Sequence, residues 1–269
     1  MSWHNLAGEY GLPHRYASKK LEQHHVPTHC LPLSFHIELF KSSWRSADVY
    51  MDSIYQALGT TGFHVLRPMM LSLLALFHGR LIDNPVRRMA QETRNLVGEV
   101  THEIFAMDDT IFIVLEVDMI APQEQEHVAR LFKLFISAAQ DNHYSKSQVR
   151  IYGLLTDRVR FAFFSYDHSL RRFAFDEELL AGGPRGQYLT RLIPIANKIF
   201  NVLFSGYLAL LQASAISKVT NEHSDTRLAL QYATEAIRCF ALGKSGDLSL
   251  RGEDALRMLQ ARYESAFLS

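Results

Sequence analysis

Four acidic residues fall on two neighbouring stretches of the sequence that both have the pattern of β-strands: Glu99, Glu103, Glu116 and Asp118. If the two stretches pair, their carboxylates share one end of one sheet face, where like charges repel each other. Such a cluster needs a bound cation, a basic neighbour or protonation of an acid. Mg²⁺ accepts carboxylate oxygens and keeps positions for phosphate and water, so a divalent-metal site is one prediction from the pattern. An Arg or Lys counterion is the alternative.

The strands that must position these acids are Gly98 to Met107 and Thr110 to Ile120, joined by a turn at Asp108 and Asp109. The first strand alternates polar with apolar residues, whereas the second is apolar on both sides. A strand of the second kind is typical of the middle of a covered sheet. A two-residue turn fixes the register. It predicts three cross-strand pairs: Glu103 with Val114, Thr101 with Glu116, and Glu99 with Asp118.

After this hairpin the sequence predicts a helix that begins near Pro122 and leads to two more strands, Val149 to Leu155 and Arg160 to Tyr166. The helix has one apolar stripe and one polar stripe, the latter made of Glu126, Arg130, Lys133, Ser137 and Gln140. Asp157, between the later strands, is expected to form a turn. A helix that connects strands in this order predicts a mixed sheet with a right-handed crossover.

Three pieces of sequence carry a resemblance to a known family: Glu116-Val117-Asp118 at a strand end, AAQDN at a helix end, and IYGLLTDRVRFAFFSYD. Together they resemble the PD-(D/E)XK nuclease superfamily, in particular its divergent fungal-type members attached to Crinkler-type effectors and selfish elements. The last piece is similar to the pattern vYGiltDG..f.Ff of those domains. The resemblance covers roughly Pro85 to Tyr207. It implies an α/β (α+β) fold, a restriction-endonuclease-like mixed sheet flanked by helices, with additional N- and C-terminal helices.

The resemblance also implies roles for individual residues. In that superfamily a strand Asp and the Glu of an ExK motif bind Mg²⁺, and the motif's lysine orients or activates the attacking water. Carried over by position, Glu116 is the metal-binding acid and Glu92 is the acid of the upstream helix. The candidate catalytic residues are Glu92, Glu103, Glu116, Asp118 and Lys133. The candidate metal ligands are Glu99, Glu103, Glu116 and Asp118.

Three positions depart from the family pattern. Asp118 stands where the lysine is expected, Arg130 stands at the Gln position of the crossover helix, and Thr101 stands at or near the strand Asp. An extra carboxylate in place of the lysine repels both phosphate and hydroxide. Lys133 is the basic residue that the crossover helix offers as a substitute.

Three functions are consistent with these residues. The first is a nuclease-like protein with a degenerate active site, ExD in place of ExK, that binds nucleic acid or a partner with catalysis lost or altered. The second is an active Mg²⁺-dependent DNA or RNA endonuclease that uses Glu116 and Asp118. The third is an effector-like protein-interaction module with no role on nucleic acid.

The chain is expected to have three regions. Residues 1–84 form an N-terminal arm, irregular to about residue 30, followed by helices that pack on the core. Residues 85–215 form the nuclease-like core, which opens with a helix from Pro85 to Val97. Residues 216–269 form a C-terminal helical extension.

Composition limits the possible partners and the compartment. Lys plus Arg and Asp plus Glu number 28 each, so nucleic-acid binding requires a local basic patch. The start of the sequence has no basic leader or apolar run, and Cys30 and Cys239 have no metal-ligand spacing, which indicates an intracellular protein, nuclear or cytoplasmic. The apolar run Ile199 to Ser217 contains Asn, Ser and Gln, so a core or interface helix is expected and no membrane. The apolar C-terminal helices are the expected face for a protein partner or a second copy.

Overall fold

The computed structural model describes residues 2–50, 63–84, 100–106, 111–117, 124–144, 149–157, 159–217, 223–242 and 248–260. The helices are α1 (Trp3–Tyr10), α2 (Leu33–Tyr50), α3 (Phe63–Ala75), α4 (Glu124–Tyr144), α5 (Arg185–Ser217), α6 (His223–Leu242) and α7 (Leu248–Gln260). The strands are β1 (Glu22–Gln23), β2 (Leu81–Asn84), β3 (Val100–Ala106), β4 (Ile111–Val117), β5 (Ile151–Thr156), β6 (Arg160–Asp167) and β7 (Arg172–Leu180). The predicted helix from Pro85 to Val97 and the turn at Asp108 and Asp109 lie outside the described residues.

The described strands form one mixed sheet of seven strands in the order β1-β7-β6-β5-β4-β3-β2. The β4–β5 and β1–β7 pairs are parallel, and the other neighbours are antiparallel. α4 connects β4 to β5, as a parallel pair requires. The fold is therefore α/β, with a mixed sheet between helices and further helices at both ends of the chain, and the predicted fold class is confirmed.

The predicted register of the β3–β4 hairpin is confirmed over most of its length. Thr101 pairs with Glu116 and Glu103 pairs with Val114. The register shifts after Ile104, where a bulge places Phe105 opposite Ile111. A bulge inserts one residue on one strand and bends it, which local alternation does not reveal.

Two helical layers cover the sheet and divide the core in two. On the side called here the α4 face, α1 and α4 pack against Ile151 and Leu155. On the opposite side, the α5 face, α5 lies against the sheet with α2, α3, α6 and α7 around it, and the cluster includes Tyr152 and Leu154. The side chains of β5 alternate between the two clusters, which explains why every residue of this strand is buried.

One helix of the described residues is long and apolar enough to cross a membrane, from Gly186 to Ala215 within α5. Of its most apolar window, 72% is buried inside the protein. Buried residues such as Phe200 and Leu203 belong to the core of the α5 face. The apolar character of this helix is therefore accounted for by its place in the core, and the absence of a membrane role stays a prediction.

The first 30 residues are more ordered than predicted. α1 buries Trp3 and Leu6 beside α4, and the Trp3 indole donates a hydrogen bond to the Pro13 carbonyl oxygen at 3.0 Å. α1 ends at Gly11, whose φ of 65° lies in the left-handed region that favours glycine. β1 then joins the edge of the sheet beside β7. The prediction of an irregular arm is wrong for α1 and β1, because elements this short show no periodicity, and it is confirmed for residues 24–32, which form no helix or strand.

α4 lies unusually close to the centre of β5. A Cβ atom added to Gly153 would lie 2.4 Å from Phe135 Cζ, whose ring is fully buried. That ring is held in a group of aromatic side chains that includes Phe132 and Phe173. The glycine of the IYGLLTD segment therefore has a packing role: it lets the crossover helix approach the sheet.

A buried lysine connects the N-terminal segment to the α5 face. Lys198 of α5 is 2% exposed, and its ammonium group lies 2.6 Å from an Asp176 carboxylate oxygen and 2.7 Å from one of Glu177. The same nitrogen is 3.4 Å from the Val26 carbonyl oxygen, and the Val26 amide donates to Asp176 at 3.2 Å. The ammonium group of Lys198 therefore has one acceptor oxygen for each of its three N–H donors, which offsets the cost of burying its charge.

One turn later on α5, the side-chain amide of Asn201 forms hydrogen bonds with both backbone groups of His29. The His29 amide donates to Asn201 Oδ1 at 2.9 Å, and Asn201 Nδ2 donates to the His29 carbonyl at 2.9 Å. Asn197 accepts the amide of Leu31 at 3.0 Å. Residues 24–31, called here the strap, are thus fixed along α5 by side chains that satisfy their backbone groups.

We predict that Gly153→Ala destabilises the fold by about 1–3 kcal/mol, because the buried Phe135 ring must shift to admit a methyl group. The free energy of unfolding from urea titration measures this change. Gly8→Ala is the control, since no atom lies within 4 Å of its added Cβ. That variant removes a helical glycine and should be stabilised by about 0.5–1 kcal/mol. An unchanged urea midpoint for Gly153→Ala would contradict the close approach.

We predict that Lys198→Met destabilises the fold by about 3–5 kcal/mol, because it removes the buried cation of Asp176 and leaves that carboxylate with only His25 and the Val26 amide as partners. The double variant Lys198→Met with Asp176→Asn should be more stable than Lys198→Met alone, since it also removes the uncompensated charge. Lys41→Met is the matched control, because Lys41 and Glu38 form an exposed ion pair at 2.7 Å and its loss should change little. Equal urea midpoints for Lys198→Met and Lys41→Met would show that the buried pair is not required.

Candidate functional site

The candidate acids lie on the two strands next to the crossover. β4 is flanked by β3 on one side and β5 on the other. In the backbone register, Glu116 lies opposite Thr101 on β3 and opposite Leu155 on β5. Positions 101, 116 and 155 thus form one row across three strands, near the end of β4 from which the chain leaves for α4.

This row belongs to the α4 face of the sheet. Leu155 is fully buried in the core cluster beneath α4, and residues at the same register on neighbouring strands occupy the same face. A second row supports the assignment, because Glu103 pairs with Val114, and Val114 pairs with Gly153, the position that Phe135 of α4 approaches. By register, the positions of Glu103 and Glu116 therefore lie on the face that the crossover helix covers.

The structure describes the backbone positions of two of the five predicted acids, Glu103 and Glu116. The other three, Glu92, Glu99 and Asp118, fall outside the described residues. Within the described residues, no group of three or more His, Cys, Asp or Glu side chains is close enough to hold a metal ion. The Mg²⁺ site stays a prediction, and the register brings together two of its four expected ligands at the level of the backbone.

The crossover helix carries a hydrogen-bonded pair of basic residues. Arg130 Nη2 lies 2.7 Å from His127 Nδ1, one helical turn away on α4. Because a guanidinium group only donates, Nδ1 of His127 is the acceptor in this hydrogen bond. His127 is 5% exposed, while Arg130 is half-buried. Desolvation lowers the pKa of Arg130, although a guanidinium group remains protonated at neutral pH.

Sequence reasoning identified Arg130 and Lys133 on α4 but missed His127. The signal was present, because residues three apart on a helix are neighbours and a buried His beside an Arg is a ready acceptor. Lys133 follows Arg130 by one turn and is half-buried as well. Together the three residues place two permanent positive charges on the flank of α4.

A second set of charges fixes the start of α4. Arg160 Nη2 of β6 lies 2.8 Å from Glu178 of β7 and 3.4 Å from Glu124, the first residue of α4. These carboxylates raise the pKa of Arg160. Asp157 precedes this arginine and accepts the amide hydrogens of Val159 at 3.0 Å and Arg160 at 2.7 Å. The prediction that Asp157 forms a turn is confirmed, and the turn aims Arg160 at the helix.

The arrangement has two chemical possibilities. Carboxylates on β3 and β4 with an open position bind a divalent cation, which lowers the pKa of a bound water and activates it. A guanidinium group on the covering helix neutralises the same carboxylates without a metal, and its five donors then occupy the oxygens that a metal would use.

The chain was compared with known proteins at three levels. No protein-family model, no curated protein and no solved structure matched it.

Proposed function

We propose that this chain is a nuclease-like protein of the PD-(D/E)XK superfamily that binds nucleic acid and has lost phosphodiester cleavage. The observation that carries the proposal is the row formed by Thr101, Glu116 and Leu155 on the sheet face beneath α4, with Arg130 on that helix. A family Asp is replaced by a hydroxyl in this row, and the covering helix contributes a cation.

The order of elements supports the family. The hairpin β3–β4, the crossover helix α4 and the hairpin β5–β6 follow one another in the chain, with β4 and β5 parallel. This is the succession of hairpin, crossover helix and hairpin that the resemblance implies. The glycine of the IYGLLTD segment and the turn-forming Asp157 also have definite packing and hydrogen-bonding roles.

The residues at two of the family's catalytic positions explain why we expect binding of nucleic acid without its cleavage. Hydrolysis needs a metal that neutralises the scissile phosphate and a group that positions the attacking water. Thr101 provides no formal charge for a metal, and Asp118 adds a negative charge where the family has a positive one. Both changes weaken stabilisation of the charge that develops on the phosphate.

Two basic residues of α4 still allow the chain to bind nucleic acid. With equal numbers of acidic and basic residues, the chain has no overall attraction for a polyanion. Arg130 and Lys133 provide a local pair of cations on one turn of α4, and phosphate contacts from such residues carry affinity without sequence preference. The class of ligand that fits is therefore a nucleic acid bound through its phosphate backbone.

We predict that the purified chain does not cleave labelled single-stranded or double-stranded DNA or RNA with Mg²⁺ or Mn²⁺ above the level of Glu116→Ala. Gel electrophoresis of end-labelled oligonucleotides measures the product. Metal-dependent cleavage by the wild-type chain that disappears in Glu116→Ala would overturn the loss of catalysis and establish the active endonuclease instead.

We predict that the chain binds the same oligonucleotides with an affinity that falls as salt increases, measured by fluorescence anisotropy at about 50 and 200 mM salt. Arg130→Ala with Lys133→Ala should weaken binding roughly tenfold and reduce the salt slope by about one for each charge removed. The matched control is Arg238→Ala with Arg257→Ala, which removes two exposed arginines of α6 and α7.

Equal losses in the two double variants would show that binding follows total charge and not the flank of α4. No binding at either salt concentration would favour the protein-interaction module. Light scattering would then report a defined oligomer of this chain or a complex with a protein partner.

A further inference from the structure

A group of exposed cations lies in residues 14–20, called here the basic segment. Its three cations, Arg15, Lys19 and Lys20, are all exposed to solvent, and the segment contains no acidic residue. Among the described residues, no carboxylate forms an ion pair with any of the three. Their positive charges are therefore available to a ligand.

The acids that are closest to the basic segment in sequence are already paired. Glu9 binds Arg171 at 3.3 Å, and Glu22 binds Arg172 at 3.4 Å. The chain as a whole has equal numbers of acidic and basic residues. The basic segment is therefore a local excess of positive charge on a neutral protein, which is the condition for attracting a polyanion to one place.

The backbone of the basic segment is fixed although its cations are exposed. The Tyr16 amide donates to Gln125 Oε1 at 3.2 Å, and the Tyr16 ring packs edge-to-face on Trp3 at a centroid distance of 5.3 Å. Near the end of the segment, the side-chain amide of Gln23 donates to the Ser18 carbonyl oxygen at 3.3 Å. A fixed backbone reduces the entropy that is lost when the cations bind a ligand.

The basic segment lies next to the start of α4, the helix that carries Arg130 and Lys133. Gln125, which binds the Tyr16 amide, is the second residue of that helix. Lys133 follows Gln125 by about 12 Å along the helix axis. The chain from Tyr16 to Lys20 extends by at most about 13 Å. The two groups of cations therefore span up to about 25 Å, the length of about seven phosphates along one DNA strand.

We propose that the basic segment is a second phosphate-contact surface, and that one nucleic-acid strand contacts it together with Arg130 and Lys133. This inference rests on the proposed binding of nucleic acid and adds the path and the length of the bound strand. A strand fits both groups of cations because its phosphates repeat every few Å along a single chain. Such contacts provide affinity without selecting a base sequence.

A triple variant of the full chain tests the second surface. Arg15→Ala with Lys19→Ala and Lys20→Ala, called here the segment variant, changes exposed side chains only. It should weaken binding of a labelled single strand of about twelve nucleotides roughly tenfold, and it should reduce the salt slope by about two, measured by fluorescence anisotropy.

The matched control removes three cations from other surfaces. Lys41→Ala with Arg238→Ala and Arg257→Ala, called here the control variant, changes exposed residues of α2, α6 and α7. Both triple variants change the net charge equally, so a general attraction between chain and strand falls equally in both. The segment variant should therefore bind the strand more weakly than the control variant.

The length of the strand provides a second readout. The gain in affinity from a strand of about four nucleotides to one of about twelve should be several-fold larger for the control variant than for the segment variant. Only the longer strand reaches both groups of cations. The statistical gain from extra positions on the longer strand is the same for both variants, so it does not affect the comparison.

One exposed acid lies on the proposed path. Glu126 of α4 stands between Gln125, which binds the basic segment, and Arg130. Glu126→Gln should strengthen binding of the longer strand about twofold, because the carboxylate repels phosphate across the surface. Glu235→Gln on α6 is the control and should change binding less. Equal effects of the two substitutions would overturn the path.

The outcomes separate this inference from the proposed function. Equal losses in the segment and control variants, or equal gains with strand length, would overturn the second surface alone if Arg130→Ala with Lys133→Ala still weakens binding. No binding of any oligonucleotide by the wild-type chain would overturn both. Displacement of the strand by poly-glutamate of equal charge as effectively as by unlabelled strand would identify an acidic peptide as the ligand and overturn the inference.

Discussion

The buried ammonium group of Lys198 is the constraint on which the assembly of the α5 face depends. Removing a charged group from water costs several kcal/mol, and only a complete set of acceptors offsets that cost. Those acceptors come from β7 and from the strap, which are far apart in sequence. Strand, helix and strap must therefore be in place together, and the absence of any one leaves a buried charge without its partners.

The two faces of the sheet are organised by different physical rules. On the α5 face, backbone groups of the strap and side chains of α5 and β7 satisfy one another in the interior. On the α4 face, close aromatic packing dominates, and the basic side chains of Arg130 and Lys133 lie half-buried on the flank of α4.

Sequence patterns were sufficient for the elements that have strong local signals. The β3–β4 register followed from alternation and a short turn, and the bulge after Ile104 escaped because a bulge has no local pattern. β1 is two residues long and acquires its conformation from β7, so no period reveals it. Lys198 marks one end of an apolar run in the sequence, and its burial depends on Asp176, which only the tertiary structure brings near. The acids were predictable by type, whereas His127 required the helix geometry.

The parallel pairing of β1 with β7 has a consequence for the order of folding. The Val26 amide binds a carboxylate 150 residues later, and the His29 amide binds a side chain 172 residues later. Contacts at such separations must overcome a large loop-closure entropy before they contribute. During synthesis the strap therefore leaves the ribosome before β7 and α5 and docks only after both exist. Until then the part of β7 that β1 covers, Ala174 and Phe175, is open to pairing with another chain, which is a risk for aggregation during folding.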